Sequence, residues 1–479
     1  MKRVHSCVLL LLIIACVAAA FRLPRLGIRP MHADESVQAA RFRDLWQQGQ
    51  YTYDPDEYHG PTLMYATLPV VALSGASEFE ETTAAMYRLV PVIFGIGLVA
   101  LVFLFAGTLG TTAVGVAALL AAISPAMVFY SRYYIHETLL VFFTVAALAC
   151  GWRYHVSRRL PWCLLAGGFV GLMQATKETA AISYLAAGLA SCIVWTSGRA
   201  KTPENTPRGP WPWQHLAAGT AVAIFVAVVF LSSFFSNWRG PVDGVLTYVS
   251  WLNRAGGDSS HIYPWSFHLR RLIWWQVDQG PVWSEGLILV LAVLGLGHAA
   301  TAKRSTRGND HATLVRWLAS YTIAITAIYC LIPYKTPWCL LQFLIGIVLL
   351  AGIGAAALLQ WFRSPCTGGL PEPARREVNG EQPRRTTAAW SASKPIRHLR
   401  IGFHGVPYIV AALLLVGAGH LAWQAYRASF SVPADQNNPY VFALQFLDEH
   451  RLLLIAVAKI GYRRHGRGFL LIDDADSLS

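Results

Sequence analysis

An apolar run, CVLLLLIIACVAAAF at residues 7–21, is followed by the acidic stretch MHADES at residues 31–36. The adjacent carboxylates Asp34 and Glu35 would be costly to keep in hydrocarbon, because a charged group there must be neutralised or expelled. We therefore expect this stretch to face water beside a membrane. Two interpretations stay open: Asp34 caps a helix that begins near Ser36, or the two carboxylates belong to a catalytic site.

The composition of the chain is that of a polytopic membrane protein. Of its 479 residues, 54% are hydrophobic and only 14% are charged, and its mean hydropathy is +0.41. A soluble domain carries roughly 25% charged residues. Many tryptophans and tyrosines stand beside the ends of apolar runs, where such rings settle at the membrane interface. The sequence therefore predicts an all-α membrane protein.

The net charge of +13 does not indicate a nucleic-acid partner. The basic residues lie in short segments between apolar runs and not on one soluble face. All eight cysteines fall in apolar runs or in a basic segment predicted to be cytoplasmic, so no disulfide framework is implied. No Walker motif or GxGxxG follows a strand pattern, and we find no nucleotide site.

About eleven apolar runs approach the ~20 residues that a helix needs to cross a bilayer. They are predicted at residues 7–21, 88–107, 112–129, 138–152, 161–176, 180–196, 214–235, 282–300, 314–332, 339–361 and 405–425. Basic loops after alternate runs, carrying Arg158, Lys201 and Lys303, set the orientation by the positive-inside rule. The first run also fits a secretory signal, but a polytopic chain needs an anchor before its first loop, which favours an uncleaved helix.

These spans divide the chain into four predicted parts. Residues 1–361 form a transmembrane catalytic region, and residues 362–404, rich in Arg, Pro, Gly and Ser, form a disordered cytoplasmic linker. Residues 405–425 form the last transmembrane helix. Residues 426–479 form a short extracytoplasmic segment.

The first external loop, residues 22–84, has a polar character that the other loops lack. Its pattern predicts a helix over residues 36–48, a turn-rich segment over residues 51–60 and an apolar helix over residues 61–73 that is too short to span. We expect this last helix to lie at the membrane interface. The loop would then fold over a cavity.

Three further segments predicted on the same side hold charged residues that are costly near a membrane. These residues are Arg132 and Glu137 in SRYYIHE, Lys177 in TKET and Lys335 in YKTPW. Each has an ordinary interpretation, since Arg132 can pair with Glu137 and lysines at helix ends extend toward the interface. Together with the first acidic loop they indicate group transfer, in which a carboxylate takes a proton from an acceptor while cations neutralise a leaving phosphate.

The external segment 237–281 is rich in aromatic residues, among them Trp238, Trp251, Trp265 and Trp274. These rings either stack on sugars or seat at the membrane interface, and interfacial seating is the simpler interpretation. The segment by itself therefore does not establish a sugar site.

Several motifs together resemble one family of membrane enzymes. They are Asp34-Glu35, Tyr58-His59-Gly60-Pro61, Arg132-Tyr133-Tyr134-Ile135-His136-Glu137, Thr176-Lys177-Glu178, Tyr334-Lys335-Thr336-Pro337-Trp338 and Asn438-Pro439-Tyr440-Val441. Their combination, over about residues 30–445, is similar to the bacterial and archaeal flippase activity-associated family of GT-C membrane glycosyltransferases. That family is in turn similar to protein O-mannosyltransferases and lipid A aminoarabinose transferases. After Val441 the family pattern is not found.

The resemblance implies a GT-C glycosyltransferase that uses a polyprenyl-phosphate sugar on the extracytoplasmic face of the plasma or inner membrane, with an unknown protein, lipid or glycan as acceptor. It matches Asp34 to the family's first-loop catalytic acidic residue. We expect two functional sets in this chain: the catalytic residues Asp34, Glu35 and Glu137, and the donor-phosphate ligands Arg132, Lys177 and Lys335. The alternative is a flippase or accessory protein that binds or moves a lipid-linked sugar without chemistry.

A divalent metal ion is a further expectation. Three carboxylates in one cavity would repel each other unless an ion or nearby cations offset their charge. Asp34 and Glu137 are hard oxygen ligands that suit Mg²⁺ or Mn²⁺. If His32, His59 and His136 converged with them, a softer ion such as Zn²⁺ would fit better. Without an ion, Asp34 would act as a plain general base.

Overall fold

The computed structural model describes residues 2–56, 59–199, 212–256, 261–301, 309–363, 406–435 and 437–441. The predicted cytoplasmic linker, apart from its first two residues, and the C-terminal segment after Val441 lie outside these ranges, so both stay predictions. Within the described ranges the chain is helical, and no strand is formed beyond two isolated bridges, Ile262 with Tyr334 and Trp275 with Trp283. The predicted all-α class is confirmed.

The α-helices follow one another along the chain with short connections. They are α1 (Lys2–Arg22), α2 (Ala33–Gln48), α3 (Thr62–Ser74), α4 (Ala84–Leu101), α5 (Ala106–Leu109), α6 (Thr111–Ile123), α7 (Pro125–Tyr130), α8 (Glu137–Ser157), α9 (Leu160–Gln174), α10 (Ala180–Arg199), α11 (Trp213–Leu231), α12 (Gly240–Gly256), α13 (Phe267–Ile273), α14 (Gly286–Thr301), α15 (Asn309–Leu331), α16 (Leu341–Arg363) and α17 (Val406–Tyr426).

Eight helical segments in the described part of the chain are long and apolar enough to cross a membrane. They are His5–Arg22, Ala84–Leu109, Glu137–Ser157, Ala180–Ser197, Trp213–Leu231, Asp310–Leu331, Pro337–Phe362 and Pro407–Ser431. The remaining predicted spans coincide with the shorter apolar helices α6, α9 and α14. The polytopic membrane class is confirmed, whereas the number of about eleven spans stays a prediction.

The predicted span at residues 112–129 is broken in the middle. α6 ends at Ile123 and α7 begins at Pro125, because proline is disfavoured inside a helix and favoured in its first turn. The Ser124 hydroxyl accepts a hydrogen bond from the Met127 backbone N–H at 3.3 Å and caps the new helix. The short helix α7 then leads directly into residues 131–137 (SRYYIHE), which we call the second acidic loop.

The main core of the bundle surrounds α16, and 94% of the residues in the most apolar stretch of its span, Pro337–Phe362, are buried. α16 packs against α14 with the two backbones in close approach. A Cβ atom at Gly295 would lie 2.1 Å from the Leu350 carbonyl oxygen, and one at Gly354 would lie 2.0 Å from the Leu291 carbonyl oxygen. Glycine is therefore required at both positions, and small residues of this kind let helices in membranes pack closely.

The first loop forms a second, smaller core over the ends of α4 and α8. Its buried residues include Phe42, Leu63, Met64, Tyr87 and Leu139. The predicted apolar helix of this loop is present as α3, which follows α2 and packs against it. This second core fixes α2, the helix that carries the acidic pair.

The start of α2 differs from the expectation. The helix begins at Ala33 and its N-cap is His32, so the interpretation of Asp34 as the capping residue is wrong. Asp34 and Glu35 instead lie in the first turn, where the exposed backbone N–H groups and the helix dipole favour negative charge. Two consecutive carboxylates are thereby held on a rigid element.

The acidic loops and the lysine segments meet at one end of the bundle, which we call the site end. The Gly60 N–H donates to the Thr176 carbonyl at 3.1 Å, and Nε2 of His136 donates to the Gly60 carbonyl at 2.9 Å. The rings of Tyr133 and Trp338 lie 6.2 Å apart. The structure thus brings together the loops that the sequence places on one side.

Candidate functional site

Asp34 presents a partly open carboxylate at the site end. Its side chain is 31% exposed, and its Oδ1 lies 4.0 Å from Nδ1 of His32. No residue that the structure describes donates a hydrogen bond to this carboxylate. The rings of Tyr133 and Trp338 pack against His32 at 5.6 and 5.8 Å and form an aromatic wall beside it. Asp34 is therefore free to accept a proton or a ligand.

Glu35 is in the opposite situation, since its side chain is fully buried. Arg88 holds it through two hydrogen bonds of 2.8 Å, from Nε to Oε1 and from Nη2 to Oε2. Arg29 adds an ion pair at 3.0 Å, and the backbone N–H of Tyr134 donates to Oε1 at 3.0 Å. The N–H of His32 donates to Oε2 at 3.0 Å and completes a capping box. Both carboxylate oxygens are thus occupied.

The pKa of Glu35 reflects this environment. Burial alone would raise the pKa of this carboxyl, but the charges of Arg29 and Arg88 and the hydrogen bonds lower it from 4.5 to about 2. Glu35 therefore remains a carboxylate throughout the physiological range. Its contacts tie α2 to α4 and to the second acidic loop, which is a positioning role.

Arg88 is the residue that binds Glu35, and the sequence did not reveal this role. It lies in the apolar helix α4, where a single arginine resembles one placed at the membrane interface. Besides Glu35, its guanidinium donates to the backbone carbonyls of Leu26, Arg29 and Pro30 at 2.7–2.9 Å. The Arg88 side chain thus holds in place the segment that precedes α2. The available signal was a charged residue in a predicted span, which calls for a buried partner.

Glu137 begins α8 and forms a hydrogen-bonded ion pair with Lys177. Both residues are buried. Burial would lower the pKa of Lys177, but the Glu137 carboxylate raises it well above the ordinary value, so the ammonium stays charged. In the described part of the chain this is the one hydrogen bond that the Lys177 ammonium makes, which leaves two of its three N–H donors available.

The two other predicted phosphate ligands are largely engaged by backbone. Arg132 donates from Nη1 to the Arg22 and Pro24 carbonyls at 2.8 and 2.7 Å and from Nη2 to the Arg25 carbonyl at 3.1 Å. Lys335 donates to the carbonyl of Tyr263 at 3.3 Å and to that of Ile332. Arg132 closes the end of α1, and Lys335 ties two loops together.

A second polar cluster lies around His59. Its Nδ1 is 3.0 Å from Oε2 of the buried Glu178, and its ring packs edge to face on His136 at 5.2 Å. The Trp251 ring stacks on the other side of His59 at 5.4 Å. Oε1 of Glu178 and Nδ1 of His136 are buried and have no hydrogen-bond partner among the described residues. His59 and His136 therefore lie together, whereas His32 packs against Tyr133 and Trp338.

In this cluster His136 is neutral, whereas Glu178 is a charged carboxylate. Burial lowers the pKa of His136 far below its usual value, and His59 and Lys177 lower it further, so His136 is neutral. Burial would raise the pKa of Glu178, but the facing His59 and Lys177 lower it. A permanent carboxylate therefore orients the His59 ring.

The motif Asn438-Pro439-Tyr440-Val441 returns to the site end and docks there. The Asn438 side chain donates to the Ala428 and Val432 carbonyls at 3.1 and 3.2 Å. The Pro439 carbonyl accepts from Nε of Arg271 at 3.1 Å, and the buried Tyr440 accepts at its carbonyl from the Tyr130 hydroxyl at 3.1 Å. The motif therefore braces α7 and α13, a structural role that its sequence alone did not reveal.

The described residues form no cluster of the usual metal-binding side chains. No group of three or more His, Cys, Asp or Glu side chains in the described ranges comes close enough to hold one. Repulsion between the carboxylates, which favoured an ion, is relieved in another way, since Glu35 faces Arg88 and Glu137 faces Lys177. The metal role of Asp34 and Glu137 stays a prediction.

Comparison with known proteins places this geometry in context. Residues 67–237 match the family model of dolichyl-phosphate-mannose-protein mannosyltransferases. No curated protein matches the sequence. The fold is similar to ArnT from Cupriavidus metallidurans bound to undecaprenyl phosphate, with a TM-score of 0.56 and 17% identity over 74% of this chain and 61% of that chain.

A second similar structure is the Archaeoglobus fulgidus oligosaccharyltransferase tethered with an acceptor peptide. The TM-score is 0.53 and the identity 12%, over 92% of this chain and 56% of that chain. This chain therefore spans less than two thirds of the length of either protein. The resemblance that the sequence predicts is confirmed at the level of the fold: the described part of the chain is helical, with spans of a multi-pass membrane protein and a fold similar to these two structures, and residues 67–237 are similar to protein mannosyltransferases.

Proposed function

We propose that this chain is a membrane glycosyltransferase that moves a sugar from a polyprenyl-phosphate donor to an acceptor hydroxyl on the extracytoplasmic face of the cell membrane. Support comes from the mannosyltransferase match over residues 67–237 and from the undecaprenyl phosphate bound to the similar ArnT structure. The observation that carries the proposal is the contrast between two adjacent carboxylates. Asp34 is partly exposed and accepts no hydrogen bond from the described residues, while Glu35 is buried and bound on both oxygens.

In the proposed reaction the acceptor oxygen attacks the anomeric carbon of the donor. The new bond between that carbon and the acceptor forms as the bond to the phosphate oxygen breaks, and the lipid phosphate leaves with the electron pair. Asp34 takes the proton of the acceptor hydroxyl as general base. Glu35 positions the helix that presents Asp34, and Glu137 positions Lys177.

We assign the leaving phosphate first to Lys177. Of the three cations predicted for this role, Lys177 is held by a carboxylate and gives no ammonium N–H to a backbone carbonyl among the described residues, whereas Arg132 and Lys335 are bound to backbone carbonyls. An ammonium held in place before the reaction stabilises the charge that develops on the phosphate. Arg132 and Lys335, whose positions are fixed by backbone carbonyls, are assigned a supporting role as further positive charges.

The test is a transfer assay on purified protein in liposomes, with a panel of labelled polyprenyl-phosphate sugars and hydroxyl-bearing acceptors. We expect labelled sugar to appear on an acceptor together with free polyprenyl phosphate. A parallel measurement follows the movement of the intact labelled lipid across the bilayer. Movement with the glycosidic bond unbroken would overturn the enzyme assignment in favour of a flippase.

Metal dependence is tested in the same assay. Because Arg88 and Lys177 already neutralise Glu35 and Glu137, we expect transfer to survive prolonged chelation. Metal analysis of the purified protein accompanies the rate measurement, and protein treated with chelator and then resupplied with Mg²⁺ or Mn²⁺ is the control. A rate that falls on chelation and returns with either ion would contradict this expectation and support the metal role of Asp34 and Glu137.

A further inference from the structure

The helix α12 has an apolar face that no described part of the chain covers. Five residues on it are between 46% and 71% exposed: Val242, Val245, Leu246, Val249 and Leu252. Their spacing places them along one side of the helix, with the interval of three or four residues that an amphipathic helix shows. In water such a stripe would be costly, so it requires an apolar partner.

The opposite face of α12 is polar and binds the protein. The Thr247 hydroxyl donates to the Pro55 carbonyl at 3.0 Å, and the Tyr248 hydroxyl donates to Oε1 of Gln174 at 3.0 Å. The Ser250 hydroxyl donates to the Asp56 carboxylate at 2.5 Å. In a soluble protein the apolar face of a surface helix usually points inward. In α12 the polar face points inward and the apolar face points outward.

Both ends of α12 lie at the site end of the bundle. In its first turn, a Cβ atom at Gly240 would lie 1.9 Å from the carbonyl oxygen of Leu231, the last residue of α11. In its last turns, Trp251 stacks on His59. The helix therefore runs across the end of the bundle and does not pass through it.

The apolar face of α12 continues the lipid-facing surface of a membrane span. Ile224 and Phe225 on α11 are 60% and 61% exposed, and Phe234, Phe235 and Trp238 extend this surface toward α12. Arg239, whose side chain is largely exposed, stands at the junction. Tryptophan and arginine at such a junction are typical of the boundary between hydrocarbon and headgroups.

We infer that α12 lies in the membrane interface at the site end, with its apolar face in lipid and its polar face closing over the cluster of His59 and Glu178. The bilayer is the partner that covers the stripe. Trp251 links the two faces, because it projects from a lipid-seated helix onto His59. Where the proposed function holds, α12 is the edge past which a lipid-linked donor reaches the site.

The depth of α12 is measured without any activity. Nitroxide labels are placed at Val245→Cys on the apolar face and at Ser250→Cys on the polar face of the same helix, in a variant freed of native cysteines. In liposomes we expect the label at 245 to be more accessible to oxygen than to a water-soluble nickel chelate, and the label at 250 to show the reverse. Equal access of the chelate to both labels would overturn the inference.

A second experiment tests the consequence for catalysis. The double variant Val245→Asp/Val249→Asp places charge in the apolar face, and Ser250→Asn, a polar change on the other face, is the control on the same helix. We expect the double variant to lower kcat/KM for a long-chain polyprenyl-phosphate sugar by at least about tenfold and to change that for a short-chain, water-soluble donor by less than about twofold. Loss with both donors would contradict the role at the lipid edge, while inactivity of the unmodified protein would count against the proposed function alone.

Discussion

The Asp34→Asn variant is expected to lose nearly all glycosyl transfer, with kcat lowered by about 10²–10⁴-fold, the usual contribution of a positioned general base. The amide has almost the shape of the carboxylate but cannot take the acceptor proton. Asp34 receives no hydrogen bond from the described residues and is partly exposed, so the fold should survive the change. Initial rates at varied donor concentration should show a lowered kcat with little change in KM.

The control for this experiment is Asp44→Asn. Asp44 stands on the same helix, is 33% exposed, and makes only surface ion pairs with Arg41 and Arg43 within the described part of the chain. Removing its charge should leave transfer within about twofold, because exposed ion pairs contribute little. Full activity in Asp34→Asn would refute the catalytic assignment, and equal loss in both variants would point to the charge of α2 as a whole.

The Arg88→Met variant is expected to destabilise the protein by about 3–5 kcal/mol, the typical cost of breaking a buried ion pair. The change removes two hydrogen bonds to Glu35 and the donors to the carbonyls of Leu26, Arg29 and Pro30. Arg29 alone cannot compensate for the buried carboxylate. Thermal unfolding in detergent should show a lower Tm, and transfer should fall because α2 no longer holds Asp34 in place.

The comparison variants for Arg88 are a surface substitution and a double substitution. Arg43→Met breaks an exposed pair and should change stability by less than about 1 kcal/mol. Glu35→Gln combined with Arg88→Met removes the uncompensated charge and should be less destabilising than the sum of the two single changes. If the double variant showed strict additivity, the pair would not be coupled and the positioning role of Glu35 would be wrong.

The same pair gives stability a definite dependence on pH. The folded pKa of Glu35, about 2, lies below its unfolded value of 4.5. Its contribution to stability is therefore fully present above pH 4.5 and is lost as the pH falls toward 2. The Tm of the unmodified protein should drop in that acidic range, and the drop should be smaller in Glu35→Gln, whose side chain does not titrate.

The helical membrane architecture was accessible from the sequence by itself. The apolar runs are local features, and their length and spacing predicted helices that the structure contains, from the first at Lys2–Arg22 to the last at Val406–Tyr426. The acidic and lysine-bearing loops were also correctly grouped, because the cost of charge in hydrocarbon forces such residues to the ends of the spans. The break at Pro125 was readable in principle, since the proline is in the sequence, but an apolar run conceals it.

Only the tertiary structure decided which charged residues are open to a substrate. Asp34 and Glu35 are neighbours in sequence, but consecutive residues on a helix point about 100° apart, so one faces outward and the other faces Arg88. Arg132 and Lys335 resemble phosphate ligands in sequence, yet backbone carbonyls from distant segments bind them. These outcomes depend on long-range contacts between segments, because burial and pairing are set by what a side chain meets after folding, and no local pattern encodes that.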